Sequence, residues 1–240
     1  MYLRKIYIRH REQYPDSPNT FAALDGFTQL GVEVQPYYGF DDIQALTDLG
    51  PEVGVTGFVG DTWAALKVLG KPMPIPIDYP EQLTPWLGRK IWRSTLGEIR
   101  RSVEQVFIKP VSEKLFTGFI WRSNMGDQIR MATCEDDTEI WVSEPISLES
   151  EYRCFIQDGD IVGVRHYKGD WGKAIDRRTV EAAVSAYKDC PRAFSLDFGV
   201  TSTGQTVLVE VNDGYALGSY GLPSIIYAKF IEARWEELTR

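Results

Sequence analysis

Three side chains that carry oxygen atoms lie on a segment with the pattern of a β-hairpin. Residues 194–214 form two alternating stretches joined by a short polar stretch, which has the composition of a turn. Because side chains alternate between the two faces of a strand, Leu208, Glu210 and Asn212 are expected to share one face. The turn would place Asp197 beside Glu210 on the neighbouring strand. Two carboxylates and an amide oxygen suit a hard cation such as Mg²⁺; an exposed polar sheet face is the alternative.

Basic residues follow a second apolar strand, residues 106–110. Lys109 stands at the end of this strand and Lys114 lies in the polar loop after it, so both are candidates for binding phosphate. The alternative is a surface lysine whose apolar stem lies over the core. A further apolar strand, residues 138–146, is interrupted by Pro145. Such a break exposes backbone groups that can bind the edge of a purine.

Two arginines lie on another predicted hairpin, residues 151–167, whose turn contains Asp158 and Gly159. A loop of three residues places Arg153 opposite Arg165 on one face of the sheet, whereas a loop of two residues places them on opposite faces. Two opposed arginines repel each other unless an anion lies between them, and the arginine fork matches phosphate oxygens. The alternative is an exposed, charged sheet face.

The elements that must position these residues fall into two parts. The amino-terminal part alternates strand and helix signals in a βαβαβα order, with Asn19 as a predicted helix cap, and this order indicates a parallel sheet covered by helices. The proline-rich residues 71–80 then predict an extended connector. We expect a helix over residues 84–101, followed by strands to about residue 168. Asp176 is expected to cap a further helix, and a last helix is predicted over residues 223–238.

The predicted domain boundary lies at the proline-rich connector, which gives domains of residues 1–80 and 81–240. The chain has 240 residues, of which 43% are hydrophobic, so it has enough apolar surface to fold and is not disordered. Its 26 basic and 34 acidic residues give a net charge of −8, which argues against binding nucleic acid by charge alone. The charged amino terminus is no secretory signal, and no apolar run is long enough to span a membrane. Three widely separated cysteines indicate a reducing compartment and a cytoplasmic location.

The order of these motifs resembles that of the ATP-grasp superfamily. The chain is most similar to a clade of small phage and bacterial ATP-grasp proteins that carry two arginines and a lysine. The likeness covers about residues 106–222 and rests on these residues: Lys109-Pro110, Ser143-Glu144-Pro145-Ile146, Glu151-Tyr152-Arg153, Arg165, Asp197 and Glu210-Val211-Asn212. The resemblance implies an α/β (α+β) fold. In it, an amino-terminal parallel α/β domain is followed by an ATP-grasp domain of antiparallel sheets and helices.

The resemblance also implies residues that bind the nucleotide. Lys109 would contact the ATP phosphates, and Lys114 lies in the region of the phosphate loop. Glu144 and Ile146 would form the hinge that holds adenine, with Glu151 near the ribose. The superfamily has an earlier ATP-binding lysine, for which three basic residues are candidates: Arg89, Lys90 and Arg93.

The remaining implied roles concern the reacting groups and the metal. Arg153 and Arg165 would be the catalytic contacts to phosphate or acyl phosphate, and Asp197, Glu210 and Asn212 would bind Mg²⁺, with Mn²⁺ as an alternative. The implied enzyme is an ADP-forming ligase that joins a small carboxylate to an amine, or modifies a peptide end, through an acyl phosphate. A phosphotransferase of the same fold and a non-catalytic ATP-binding module are the alternatives. The two substrates and the oligomeric state stay open.

Overall fold

The computed structural model describes residues 2–111 and 115–240 and contains three β-sheets. The first sheet and its helices are formed by β1 (Lys5–Arg11), β2 (Tyr14–Pro15), α1 (Pro18–Gln29), β3 (Glu33–Tyr37), α2 (Phe40–Ala45), β4 (Val53–Thr56) and α3 (Val59–Val68). Strand β1 pairs in parallel with both β3 and β4, while β2 folds back on its end. The predicted parallel α/β arrangement of the amino-terminal part is therefore confirmed.

The cap of α1 differs from the expectation. Ser17, not Asn19, is the N-cap, because its Oγ accepts the Thr20 backbone N–H at 3.2 Å while the Ser17 N–H donates to the Thr20 hydroxyl at 2.8 Å. Pro18 fits the first helical position, where its missing N–H has no helical partner. The side chain of Asn19 instead accepts hydrogen bonds from the backbone N–H and hydroxyl of Ser219, which ties α1 to a distant loop.

The helix expected over residues 84–101 is wrong. A 3-10 helix (Glu81–Trp86) is followed by β5 (Ile91–Thr95) and then by α4 (Leu96–Arg101). Pro85 interrupts helical hydrogen bonding, and Gly88 adopts a φ of +62°, so the chain turns before it can continue as a helix. Strand β5 then pairs with a distant strand, and tertiary pairing of this kind overrides the local helical pattern.

Two antiparallel sheets form the rest of the protein. Their strands and the helices near them are β6 (Val106–Pro110), β7 (Phe119–Trp121), α5 (Met125–Arg130), β8 (Glu139–Ser143), β9 (Leu148–Gln157), β10 (Asp160–Gly169), α6 (Arg177–Ala186), β11 (Ala193–Thr201), β12 (Thr206–Asp213) and α7 (Ser224–Thr239). The second sheet has the order β5-β8-β6-β7, and the third has the order β10-β9-β11-β12. The predicted combination of antiparallel sheets and helices is confirmed; helix α5 was not expected.

The third sheet is buried on both faces. Cys154 and Ile156 of β9 pack toward α6 and the 3-10 helix, whereas Phe155 between them packs toward α7 and the first sheet. Helix α7 packs against α1 and shares the hydrophobic core of the first sheet. The division at residue 80 stays a prediction. Among the described residues, no helix is both long enough and apolar enough to cross a membrane.

A β-bulge changes one expected orientation in the β11–β12 hairpin. Asp197 pairs with Glu210, but the next residue, Phe198, pairs with Leu208, so that Val209 has no partner. An extra residue reverses the alternation of faces beyond it. Leu208 therefore lies in the apolar core instead of on the face of Glu210. The predicted pairing of Asp197 beside Glu210 is confirmed.

Candidate active site

A cavity of about 880 Å³ opens between the second and the third sheet. Residues from several elements line it, among them Lys109 of β6, Glu151 and Arg153 of β9, and Glu210 and Asn212 of β12. These five residues, which are far apart in sequence, thus meet at one site as the order of motifs suggests. Ligand sites in proteins are commonly concave, apolar over most of their surface and supplied with a few convergent polar groups.

An ion-pair cluster occupies one wall of the cavity. The Lys109 Nζ lies 2.6 Å from Asp78 Oδ1 and 2.9 Å from Glu210 Oε2, and the lysine side chain is only 15% exposed. Lys109 is thus a buried group of the site and not a surface lysine. Burial opposes its charge, but the negative charges of Glu210 and Asp78 outweigh burial and raise the pKa of Lys109. In the same way, burial opposes the charge of Glu210, yet Lys109 lowers the pKa of Glu210.

A second ion pair lies beneath the first. Arg153 Nε and Nη2 donate to the two carboxylate oxygens of Asp197 at 2.8 Å and 2.6 Å. Asp197 is 2% exposed and also accepts from the Ser195 hydroxyl at 3.3 Å. Burial raises the pKa of Asp197, and the hydrogen bonds from Arg153 oppose this effect. The Asn212 amide bridges both carboxylates, since its Nδ2 lies 3.3 Å from Asp197 Oδ2 and 3.2 Å from Glu210 Oε1.

The two arginines predicted to face each other are paired in register, but their side chains differ. Strands β9 and β10 are joined by a two-residue turn, and a bulge between Ile161 and Gly163 then brings Arg165 opposite Arg153. The predicted two-residue loop alone would have separated them, so the bulge decides the outcome. Arg165 donates to the Gly221 carbonyl at 3.1 Å and, among the described residues, is not part of the cavity lining.

The expected adenine hinge divides in the same way. Ile146 lines the cavity, whereas Glu144 faces β5, where its carboxylate accepts the Lys90 backbone N–H at 2.9 Å. Glu151 is buried in the cavity wall and accepts a hydrogen bond from the Tyr167 hydroxyl at 2.9 Å. The predicted phosphate-loop residue Lys114 lies outside the described residues.

The three candidates for the earlier ATP-binding residue have different positions. Arg89 lines the cavity, but its guanidinium donates to the backbone carbonyls of Leu87, Leu208 and Val209 at 2.9 Å, which commits it to the loop and β12. Burial lowers the pKa of Arg89. The other two basic groups lie over tryptophan rings: Lys90 is 5.2 Å from the centre of Trp92, and Arg93 is 3.9 Å from that of Trp141.

Sequence reasoning missed Asp78 and the loop after β12. Asp78 belongs to the proline-rich connector, which has no motif, yet it lines the cavity and binds Lys109. The loop, residues 214–222, also contributes lining residues, and the Arg153 guanidinium lies 4.8 Å from the centre of the Tyr220 ring. Its Tyr215 hydroxyl accepts the Trp63 indole N–H at 3.1 Å, which connects the loop to α3. Glycine and tyrosine in this loop were the available signal.

The donor set fits a hard cation. Glu210 and Asn212 offer oxygen atoms to the cavity, and Asp197 lies directly behind them on β11. Oxygen donors of this type are those that Mg²⁺ prefers. Within residues 2–111 and 115–240, no group of three or more His, Cys, Asp and Glu side chains has the arrangement of a metal centre formed by protein alone. A site that combines one or two carboxylates with substrate phosphates needs no such group.

Comparison with known proteins identifies the family. A model of the ATP-grasp domain, for family 2 of the clade named for two arginines and a lysine, matches residues 86–230. This match spans more than half of the chain, and the chain therefore belongs to this family of ATP-grasp proteins. No curated protein sequence matches the chain significantly.

Solved structures of ATP-grasp enzymes have the same fold. D-alanine–D-alanine ligase from Bacillus anthracis aligns over 98% of this chain and 96% of its own, with a TM-score of 0.57 and 16% identity. L-amino acid ligase from Bacillus licheniformis aligns over 98% and 76%, with a TM-score of 0.61 and 11% identity. The ATP-grasp ligase PsnB, in complex with a minimal precursor, aligns over 91% and 93%, with a TM-score of 0.52 and 13% identity. The predicted ATP-grasp fold is confirmed.

Proposed function

We propose that the protein is an ATP- and Mg²⁺-dependent carboxylate–amine ligase that acts through an acyl phosphate and releases ADP and phosphate. The observation that carries this proposal is the meeting of Lys109, Arg153, Glu210 and Asn212 in one cavity of an ATP-grasp protein. The cavity places two cationic side chains next to two oxygen donors. This combination suits a nucleotide whose phosphates carry a divalent cation.

The residues of the chain would act mainly by position and charge. Lys109 and Arg153 would bind phosphate oxygens, and Ile146 would contact the adenine in the apolar part of the cavity. Glu210 and Asn212, with Asp197 behind them, would hold Mg²⁺, which supplies charge neutralisation at the phosphates. Because phosphoryl transfer depends on positioning and electrostatic stabilisation, no separate nucleophile of the protein is required. The free Cys154 is buried and fits a core role.

The substrates would occupy the part of the cavity away from Ile146. Val59 and Trp63 of α3 line this part together with the loop after β12. A wall formed by the first sheet's helices and by aromatic loop residues suits a small carboxylate and amine or the end of a peptide. Three of the structural neighbours support such partners by what their names say they ligate: an amino acid, D-alanine and a precursor. We also propose a cytoplasmic location, in which the three free cysteines stay reduced.

Product analysis tests the proposed reaction. The protein is incubated with ATP, MgCl₂ and panels of amino acids and short peptides, and the nucleotide products are separated by chromatography. Release of ADP and phosphate in equal amounts, together with a product one water lighter than the two substrates combined, is expected. Release of AMP would refute the proposal, and a stable phosphorylated product would identify a phosphotransferase instead. The Glu210→Gln variant is the matched control that lacks one charge of the site.

A further inference from the structure

Asp78 is held at the cavity by two neighbouring side chains. Its Oδ1 lies 2.6 Å from Lys109 Nζ, and its Oδ2 accepts the Trp141 indole N–H at 2.8 Å. Trp141 on β8 pairs directly with Lys109 on β6, so that the second sheet presents the ammonium group and the indole N–H side by side. Each oxygen of the Asp78 carboxylate therefore has its own donor, and the side chain is only 13% exposed.

The backbone of Asp78 is also fixed in place. Its carbonyl accepts the backbone N–H of Val211 at 2.9 Å, and Val211 stands between Glu210 and Asn212 on β12. Asp78 has a φ of +52°, a left-handed conformation that few residues other than glycine, asparagine and aspartate adopt. The connector is thus attached to the strand that carries the oxygen donors, and its carboxylate is aimed at the lysine of the opposite sheet.

Lys109 has two carboxylate partners, and only one of them is a candidate metal ligand. Glu210 Oε2 lies 2.9 Å from the lysine, at the position where it would have to bind a cation. A lysine held by Glu210 alone would compete with a cation for this carboxylate. Asp78 offers the lysine a second, permanent partner at 2.6 Å.

We propose that Asp78 is a positioning residue that holds the Lys109 ammonium group at the cavity wall and thereby releases Glu210 to bind a divalent cation. This inference rests on the proposed function, because it assumes that nucleotide and cation bind in this cavity. It assigns to the proline-rich connector a role in the site that its sequence does not indicate. Loss of the Asp78 charge then weakens cation binding in two ways: Lys109 competes for Glu210, and the cavity becomes more positive.

The test uses Asp78→Asn, which keeps the shape of the side chain and suits the left-handed backbone. Asp78→Gly, which also tolerates a positive φ, removes the carboxylate completely and serves as a second variant. The matched control is Asp48→Asn. In the first sheet, Asp48 accepts from Lys5 and from the Tyr7 hydroxyl, each at 3.1 Å, so it likewise pairs with one lysine and one aromatic donor.

The first measurement needs no nucleotide. Acetic anhydride labels the lysines of the full-length protein, and mass spectrometry gives the rate at each position. Asp78→Asn is expected to increase the labelling rate of Lys109 several-fold, whereas Asp48→Asn is expected to leave that rate unchanged and to increase labelling of Lys5. An unchanged rate at Lys109 in both Asp78 variants would overturn the inference.

The second measurement is calorimetric titration with ADP over a range of MgCl₂ concentrations. Asp78→Asn is expected to raise the Mg²⁺ concentration for half-maximal binding by about tenfold, the ratio for one lost charge-assisted hydrogen bond, without weakening ADP binding in the absence of Mg²⁺. Equal weakening with and without Mg²⁺, or no change, would mean that Asp78 has only a structural role. If the unmodified protein binds no ADP at any Mg²⁺ concentration, the proposed function fails, while the Lys109 labelling still reports on the ion pair.

Discussion

The buried Arg153–Asp197 pair allows a prediction that separates stability from metal binding. Replacement of Asp197 by Asn keeps the size of the side chain but leaves the Arg153 guanidinium without its charged partner. Both side chains are almost fully buried, with 9% and 2% of their surface exposed, and two short hydrogen bonds join them. Breaking a buried pair by removing one partner costs about 3–5 kcal/mol. We therefore expect Asp197→Asn to lower the free energy of unfolding by about this amount.

The matched variant is Glu210→Gln. Glu210 is 29% exposed and shares Lys109 with Asp78, so that the lysine keeps a charged partner 2.6 Å away when Glu210 is neutralised. For a partly exposed pair of this kind we expect a loss of about 1 kcal/mol or less. Both variants are predicted to lose ligase turnover, but only Asp197→Asn should lose much stability.

Equilibrium unfolding in urea, followed by tryptophan fluorescence and circular dichroism, measures the two losses. A double-mutant cycle with Arg153→Met and Asp197→Asn isolates the interaction between the two residues. We expect a coupling of about 2–3 kcal/mol, because contacts in one buried network couple by up to this size. If Asp197→Asn cost no more than Glu210→Gln and the cycle gave no coupling, the reasoning about this pair would be refuted.

Two further predictions concern groups away from the cavity. Burial raises the pKa of the Cys154 thiol to about 12, so Ellman's reagent at pH 8 should modify Cys134 and Cys190, which are partly exposed, and reach Cys154 only after unfolding; modification of Cys154 in the native protein at the rate of the other two would contradict this. The hydrogen bond from Arg192 lowers the pKa of Asp158, so this carboxylate stabilises the fold above the pKa of the unfolded state, about 4, and the contribution is lost as pH falls through the lower folded value. Asp158→Asn, which tolerates the φ of +50° at this turn, should cost at most about 1 kcal/mol at pH 7 and less at pH 3, as thermal unfolding at both values can show; an equal deficit at both pH values would contradict the assignment.

The sequence was most informative where a local pattern decides the structure. Alternation along β11 and β12 places Asp197 beside Glu210, and the order of short motifs predicts the ATP-grasp fold. The bulge that moves Leu208 into the core has no local signature, because one unpaired residue is chosen by the packing on both faces. The same holds for Arg165, whose register with Arg153 depends on a bulge in β10.

Contacts between distant segments could not be predicted from the sequence. Asp78 has only prolines and apolar residues around it in the chain, and its role follows from the meeting of three elements: the connector, β6 and β8. Residues 84–101 show the same limit, since β5 forms because β8 offers it a partner. Local propensity favours a helix there, and pairing across the sheet outweighs it.

A crystal structure of the protein with ADP and Mg²⁺ tests the central claim most directly. We predict that the adenine lies against Ile146 in the cavity between the second and the third sheet. The phosphates should lie within hydrogen-bond distance of Lys109, and Mg²⁺ should bind oxygen atoms of Glu210 and Asn212. Nucleotide bound outside this cavity, or Mg²⁺ bound without either of these two side chains, would contradict the claim.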